Sequence, residues 1–300
     1  MTGMASPSQN LRTEVRFPSG DGECAAWWYP SADAAPVVIL GHGLGGVRDG
    51  GLEPFAERLA AAGYGVVVFD YRHFGESTGE PRQFVSIRRQ HEDWASAVRW
   101  VRAERPGAPV VLHGTSYGGG HAITTAARDH SIAALIAQIP FTDGIAASRA
   151  TSLPHSLKMT ALGLTDLARA ATNRARRCIP IVGPPGSTAA ITSPGAVEGY
   201  RAMFPGSDPA QDMVTASSLL ELPTYRPIRD AGRIACPALL CVAANDTVTP
   251  PAPAIQTAAR IPQGEIRTYP MDHFDIYVGE GFERAVADQL EFLGRVFGRT

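Results

Sequence analysis

The 300-residue chain is long enough for one large domain with a substantial hydrophobic core, and 44% of its residues are hydrophobic. Its formal net charge of -2 favours neither nucleic acid nor an anionic membrane surface as a partner. No apolar run is long enough to span a membrane, and the first residues lack the pattern of a signal peptide. We therefore expect a globular, cytoplasmic protein. Its four cysteines lack metal-ligand spacing, and Cys236 and Cys241, in an apolar strand-like run, are expected to be buried thiols and not a disulfide.

The predicted elements begin with a hairpin turning at residues 19–22 and continue as alternating strands and helices. Six apolar, strand-like runs follow the hairpin, at residues 37–40, 65–70, 109–114, 132–140, 237–246 and 265–270. Four of them are apolar on both faces, which is typical of a parallel sheet covered by helices on both sides. The last helical stretch has a stripe formed by Phe282, Val286, Leu290, Leu293 and Val296. This alternation predicts an α/β fold with a mostly parallel sheet.

The alternation stops between residues 144 and 229, where the sequence contains no convincing strand. A helical stripe comes first, then a segment rich in proline and glycine (183–195), then two shorter helical patterns at 197–204 and 212–222. The residues of the stripe are Leu157, Ala161, Leu164, Ala168 and Ala171. Such an interval is too long for a structureless loop. We therefore predict a helical cap (144–229) inserted into a core domain formed by residues 1–143 and 230–300.

The candidate nucleophile is Ser116, in the sequence GTSYG (114–118) between a predicted strand and a predicted helix. This G-x-S-x-G pattern places a serine on a strained turn, with its hydroxyl exposed above the sheet. Glycine at positions 114 and 118 leaves room for the helix to pack closely on the strand. Because a plain glycine-rich turn is the alternative, the role of Ser116 depends on partners elsewhere in the chain.

Acyl transfer also needs hydrogen-bond donors for the oxyanion of the tetrahedral intermediate. The sequence LGHGLGG (40–46) directly follows a predicted strand, and a backbone N–H in such a loop can be one donor. We assign the donors to the N–H groups of Leu44 and Tyr117. His42 is expected to hold the loop by a hydrogen bond, and His42, Gly43 and Phe141 are the expected substrate contacts.

The acid and the base are expected to follow later strands. Asp246 lies at the carboxyl end of a predicted strand, where ligand-facing residues gather in open α/β sheets. Asp143, after an earlier strand, is the alternative acid, and capping of backbone N–H groups is the alternative role for Asp246. Among eight histidines, His273 follows the final strand and completes the chain order Ser, Asp, His. We therefore predict Ser116, Asp246 and His273 as the catalytic residues.

The chain resembles the α/β-hydrolase superfamily in four places: HGLGG (42–46), GTSYGG (114–119), ND (245–246) and DHFD (272–275). More closely, it is similar to dienelactone-hydrolase-like, S15-peptidase-like and polyketide acyl transferase-like proteins in the stretches beginning GHGLGGVRDGG, HGTSYGGGHA and HFDIYVGEGFERA. The resemblance implies the α/β-hydrolase fold and hydrolysis or transfer of acyl groups from esters and thioesters. Dehalogenases and many epoxide hydrolases of this fold carry aspartate at the nucleophile position, so Ser116 argues against those reactions.

Together, these features predict a serine hydrolase that cleaves a small-molecule carboxylic ester through an acyl-enzyme on Ser116, without a cofactor or metal. A thioesterase or acyltransferase with the same residues is the first alternative, and a non-catalytic ligand receptor is the second. Contact with an anionic carrier such as coenzyme A is one explanation for Arg174, Arg176 and Arg177, and a solvated helix end is the simpler one. The sequence is compatible with a homodimer, and it does not identify the acyl group.

Overall fold

The computed structural model describes residues 12–206 and 212–299, so the first eleven residues, where no signal-peptide pattern was found, lie outside the described part. The strands are β1 (Thr13–Ser19), β2 (Gly22–Tyr29), β3 (Val37–Gly41), β4 (Gly65–Phe69), β5 (Val110–Thr115), β6 (Ala134–Gln138), β7 (Cys178–Pro180), β8 (Met213–Thr215), β9 (Ala238–Ala243) and β10 (Gly264–Tyr269). The α-helices are α1 (Glu53–Ala61), α2 (Ile87–Glu104), α3 (Tyr117–Arg128), α4 (Gly144–Ala150), α5 (Leu153–Ala171), α6 (Ala196–Met203), α7 (Pro251–Ala258) and α8 (Gly279–Phe297). The 3-10 helices cover Ala216–Thr224, Pro227–Arg229, Ala231–Arg233 and Asp275–Tyr277.

Eight strands form one sheet in the order β1-β2-β4-β3-β5-β6-β9-β10. The β1–β2 hairpin pairs antiparallel, and β2 pairs antiparallel with β4. From β4 to β10 every neighbouring pair is parallel. The predicted fold class, a mostly parallel sheet with an antiparallel edge, is therefore confirmed.

The central strands β3, β4, β5, β6 and β9 are buried along their whole length. Successive residues of a strand point to opposite faces of the sheet. On β5, His113 contacts Phe55 of α1 and Gln289 of α8, whereas a Cβ at Gly114 would lie 2.8 Å from Ala122 Cβ of α3. Helices therefore cover both faces, which explains why these strands appear in the sequence as continuous apolar runs.

The carboxy-terminal helix α8 is present as predicted, but its buried face is rotated relative to the predicted stripe. The buried residues are Gly281, Ala285, Val286, Gln289, Phe292 and Leu293. Phe282, Leu290 and Val296 are only partly buried. The rotation places Gln289 in the interior, where its amide has hydrogen-bond partners across the sheet.

Residues 144–229 lie between β6 and β9, which are neighbours in the sheet. The segment contains α4, α5 and α6, but also β7 and β8, which pair antiparallel. The prediction that it contains no strand is therefore wrong, because three-residue strands are too short to show alternation. The helix predicted over 212–222 is also wrong: β8 is followed by the 3-10 helix Ala216–Thr224. Pro223 lies inside this helix and has no N–H for an α-helical hydrogen bond.

Helix α5 packs on the rest of the protein through Met159, Gly163 and Asp166. A Cβ at Gly163 would lie 2.8 Å from the Leu220 side chain, so this helix lies very close to the 3-10 helix Ala216–Thr224. The predicted leucine and alanine stripe lies on its exposed side. Leu157, for example, is 62% exposed.

Candidate active site

Ser116 lies at the junction between β5 and α3, in a backbone conformation that residues with side chains rarely adopt. Its φ is 54° and its ψ is -119°, and strain of this kind is typical of functional sites. A Cβ at Gly114 would lie 2.1 Å from the Gly118 carbonyl oxygen, and a Cβ at Gly118 would lie 2.2 Å from the His42 carbonyl oxygen. Glycine at both positions therefore lets α3 pack against β5 and against the loop that follows β3 (residues 42–51), here called the β3 loop.

Ser116 lies beside His273, which in turn lies beside Asp246. His273 Nε2 is 3.1 Å from Ser116 Oγ, and His273 Nδ1 is 2.7 Å from Asp246 Oδ2. The His273 and Asp246 side chains are 3% and 2% exposed, so water competes little with their contact. When Nδ1 carries the proton and donates it to Asp246, Nε2 is free to accept the proton of Ser116.

Asp246 is held by the loop that follows β9. Its Oδ1 accepts hydrogen bonds from the N–H groups of Val248 and Thr249, at 2.8 and 2.6 Å. Its Oδ2 accepts from the Thr249 hydroxyl at 2.9 Å as well as facing His273. A carboxylate has about four lone-pair sites. The capping role considered from the sequence is therefore present together with the contact to His273.

Asp143, the alternative acid, has different partners. It caps α4 by accepting from the N–H groups of Ile145 and Ala146, and it forms an ion pair with Arg226 at 2.7 Å. Burial alone would raise the pKa of Asp143, but its hydrogen bonds to Arg226 and to the backbone lower it. The structure thus places Asp246 against His273 and Asp143 against Arg226.

The two expected oxyanion donors belong to segments next to Ser116. A Cβ at Gly43 would lie 3.1 Å from Ser116 Cβ, and Leu44 follows Gly43 in the β3 loop. Tyr117 is the first residue of α3, where the helix dipole favours a negative charge. Within the described residues, neither the Leu44 nor the Tyr117 N–H donates to a protein acceptor. Both groups are therefore available to an anion formed at Ser116.

His42 holds the β3 loop by hydrogen bonds. Its Nε2 contacts the Gly50 carbonyl oxygen, and its Nδ1 accepts the N–H of Gly43 at 2.7 Å. Burial lowers the pKa of His42 to about 4, so the ring is neutral at neutral pH. A further support, not evident from the sequence, is Tyr71, whose hydroxyl donates to the His42 carbonyl oxygen at 3.1 Å.

A cavity of about 30 Å³ lies next to the Ser116 hydroxyl. His42, Gly43 and Leu44 line one side of it, and His273 lines another. Four side chains of the inserted segment form the opposite wall: Ile181, Ile191, Tyr200 and Met203. The inserted segment therefore covers Ser116, and the space that remains is small and mostly apolar.

Phe141, the third expected substrate contact, is not among the residues that line this cavity. Its ring centroid lies 5.6 Å from that of Tyr117 and 6.2 Å from that of Tyr225. Its carbonyl oxygen would lie 2.4 Å from a Cβ at Gly120. Phe141 thus packs against the first turns of α3.

A buried polar network next to Ser116 is also not evident from the sequence. The Thr115 hydroxyl pairs with the Tyr277 hydroxyl and accepts from the Gln138 amide at 3.3 Å. Gln289 of α8 donates to Gln138 Oε1 at 2.7 Å. The one feature of the sequence that could have indicated this network is Gln289, a polar residue between apolar neighbours on the face of a helix.

The described residues contain no group of three or more histidine, cysteine or acidic side chains that could hold a metal ion. In residues 12–206 and 212–299, no helix combines the length and the apolarity that a membrane span requires. All four cysteines are free. Burial raises the pKa of Cys236 and of Cys241 to about 11, so both thiols are protonated at neutral pH.

Known proteins with similar sequences and structures point to one family. The family described as serine aminopeptidase, S33, matches residues 32–180. The quorum-quenching protein AidA of Acinetobacter baumannii is 42% identical over 94% of this chain and 94% of its own. The polyketide transferase af380 of Aspergillus fumigatus is 26% identical over 94% of this chain and 97% of its own.

Among solved structures, the α/β hydrolase GrgF from Penicillium sp. matches with a TM-score of 0.80 at 24% identity, over 95% of this chain and 98% of that one. The chain belongs to the α/β-hydrolase family. This hydrolase is thus an enzyme, as the sequence predicts, and its sheet has the parallel architecture of its structural neighbours.

Proposed function

We propose that this hydrolase cleaves carboxylic esters of small molecules, with Ser116 as nucleophile, His273 as general base and Asp246 as the acid that orients His273. The observation that carries the proposal is the pair of contacts at His273, 3.1 Å to Ser116 Oγ and 2.7 Å to Asp246 Oδ2. A base within hydrogen-bond reach of a nucleophile and oriented by a third group is the arrangement that nucleophilic catalysis requires.

In the proposed reaction, His273 Nε2 takes the proton of Ser116 as Oγ attacks the ester carbonyl carbon. Asp246 keeps the other ring proton on Nδ1 and stabilises the imidazolium that forms. The N–H groups of Leu44 and Tyr117 donate to the oxyanion of the tetrahedral intermediate. His273 then protonates the leaving alcohol. In the second half, His273 takes a proton from a water molecule as it attacks the acyl-enzyme, and returns that proton to Ser116 Oγ as the bond to the acyl group breaks and the carboxylic acid product leaves. Each step uses only protein groups and water.

We also propose that residues 144–229 act as a cap on a core formed by residues 1–143 and 230–300. The wall that Ile181, Tyr200 and Met203 place across the cavity supports this division and favours an apolar group next to Ser116. The similarity to a quorum-quenching protein makes quorum-sensing signals that contain an ester bond the first substrates to test.

Acyl transfer, including transfer from a thioester, is the second candidate. Similarity to a polyketide transferase over 94% of the chain supports it. Transfer uses the same acyl-enzyme and differs only in the nucleophile that attacks it, which is an alcohol or amine in place of water.

A fluorophosphonate probe tests the nucleophile directly. Intact-protein mass spectrometry should show covalent labelling of wild type and of the control variant Ser148→Ala, and none of Ser116→Ala. A folded wild-type protein that is not labelled would overturn the proposal and favour a non-catalytic receptor. A panel of acyl esters and thioesters, assayed with and without alcohol and amine acceptors, then separates the two candidates, since acceptor-dependent ester or amide formation identifies transfer.

A further inference from the structure

One face of α5 is apolar and exposed to solvent, while the opposite face packs on the protein. Four of the seven exposed large hydrophobic side chains in the described residues lie on this helix. They are Leu153, Leu157, Leu164 and Leu167, which are 69%, 62%, 58% and 48% exposed. Isolated exposed hydrophobic residues are ordinary, but a contiguous group of them marks an interaction site.

The centre of this face alternates large and small residues in the order Leu157, Ala161, Leu164, Ala168. Their spacing of four, three and four positions keeps them on one side of the helix. In the opposite direction the order is small, large, small, large. A second, antiparallel copy of the helix therefore sets Leu157 opposite Ala168 of the second copy, and Ala161 opposite Leu164 of the second copy.

We propose that the protein forms a symmetric homodimer in which the α5 helices of two copies pack antiparallel across a two-fold axis near residues 162 and 163. The contact is self-complementary, as a two-fold interface requires. Leu157 and Leu164 each fill the space above an alanine of the other copy, so the centre of the interface packs without large voids. The alanines also let the two helix axes approach to about 8 Å.

Shape favours a second copy over a lipid surface as the occupant. A helix that lies on a membrane gains from bulky apolar residues along its whole face, and Ala161 and Ala168 contribute little there. The four leucines expose roughly 400 Å² per copy, against about 800 Å² per partner in a standard interface. We therefore expect a dimer with a micromolar dissociation constant.

Sedimentation velocity between about 1 and 200 μM tests the association. Wild type should pass from monomer to dimer over this range, and Leu164→Lys should stay monomeric to the highest concentration. The matched control is Ile255→Lys, which changes an exposed side chain (46%) on α7 and should dimerise like wild type. Circular dichroism should show all three proteins folded. A wild type that stays monomeric, or a Leu164→Lys protein that dimerises normally, overturns the proposal. The proposal is also overturned if wild type is a monomer that cosediments with phosphatidylglycerol–phosphatidylcholine vesicles and Leu164→Lys does not cosediment.

Crosslinking tests the antiparallel register. The two copies of residue 161 lie about 5 Å apart along the helix axes, and the two copies of residue 168 about 16 Å apart. In a Cys178→Ser background, a short bismaleimide should therefore join Ala161→Cys chains efficiently and Ala168→Cys chains poorly. Equal crosslinking at both positions would indicate parallel helices and overturn the register.

Discussion

The central sheet and the inserted segment (144–229) are held together in different ways. The five central strands are buried along their whole length, and most of their side chains are apolar. In the inserted segment, a buried carboxylate joins several parts of the chain. Asp166 pairs with Arg176 at 2.6 Å and accepts hydrogen bonds from the N–H groups of Arg177 and Ser217. Burial of apolar surface thus specifies the sheet, and a few polar contacts specify the insertion.

The two regions also have different roles in the proposed reaction. Loops at the ends of the sheet strands carry Ser116, Asp246 and His273, whereas the inserted segment contributes Tyr200 and Met203 to the cavity wall. We therefore expect the reaction and the selection of substrate to depend on different parts of the chain. Variants in the two regions should fail in different ways, and the four experiments below compare them.

The largest effect is expected at the acid that follows β9. Asp246→Asn should lower kcat/KM for an activated acyl ester by about 10³–10⁴-fold, because His273 loses the group that fixes its tautomer. Asp143→Asn, the matched control at the end of β6, should change kcat/KM less than about threefold. Steady-state kinetics measures both, and the reverse result would reassign the acid to Asp143.

The next effect is on stability at the turn that holds Ser116. Gly118→Ala puts a Cβ against the carbonyl oxygens of His42 and Gly41, and overpacking of this kind costs about 1–3 kcal/mol. Gly232→Ala is the control, because its Cβ would meet nothing closer than 3.7 Å and should change stability by under about 1 kcal/mol. Urea unfolding followed by fluorescence compares them. Equal free energies of unfolding for the two variants would show that the β3 loop moves to accommodate the new Cβ at little cost.

Two buried carboxylates should give the two regions different pH dependence. Burial raises the pKa of Asp70, after β4, to about 6, although Arg48 opposes this shift. Burial would also raise the pKa of Asp166, but hydrogen bonds from Arg176 and its neighbours hold it well below the usual range. The stabilising contribution of Asp70 therefore declines as pH rises from about 4 to 6, whereas that of Asp166 is complete above about pH 4 and is lost below it.

Urea unfolding between pH 4 and pH 7 measures this contrast. Asp166→Asn should lower the free energy of unfolding by about 3 kcal/mol throughout the range, since it leaves Arg176 without its partner. The free energy of unfolding of wild type should instead fall by about 1–2 kcal/mol relative to that of Asp70→Asn as pH rises. The same pH slope for both variants would contradict the assigned pKa directions.

The smallest effect is expected within the inserted segment. Arg174→Ala should change the free energy of unfolding by under about 0.5 kcal/mol, because its side chain is exposed. Arg176→Ala, by contrast, removes the partner of Asp166 and should cost about 3 kcal/mol. The KM for an acyl-coenzyme A thioester should be unchanged in Arg174→Ala. A marked rise in that KM would support a contact with an anionic carrier.

The sheet could be predicted from the sequence because burial on both faces makes each central strand a continuous apolar run. The inserted segment could be predicted only in outline, since strands of three residues such as β7 and a helix of 3-10 type have no distinctive periodicity. Chain order alone selected His273. The choice between Asp246 and Asp143 needed the structure, because both follow sheet strands and only hydrogen-bond partners separate them.

Other site features depend on contacts between residues far apart in the sequence. The buried face of α8 includes Gln289, whose partners are His113 and Gln138. No local pattern in the sequence encodes such a pairing. Likewise, Tyr71, which follows β4, donates to the carbonyl oxygen of His42, which follows the neighbouring strand β3. No local pattern encodes this contact either. Phe141 follows β6, as a pocket residue would, but packs beside Tyr117.

The inserted segment leaves the sheet after β6 and returns at β9, and these strands are hydrogen-bonded neighbours, with Leu135 paired to Ala238. Its two ends therefore meet at one place on a rigid support. For protein engineering, we therefore expect residues 144–229 to be exchangeable: a graft of another length should leave the strand order and the Ser116–His273 spacing intact. A junction of this kind would let substrate selection change while the residues proposed for the reaction stay in place.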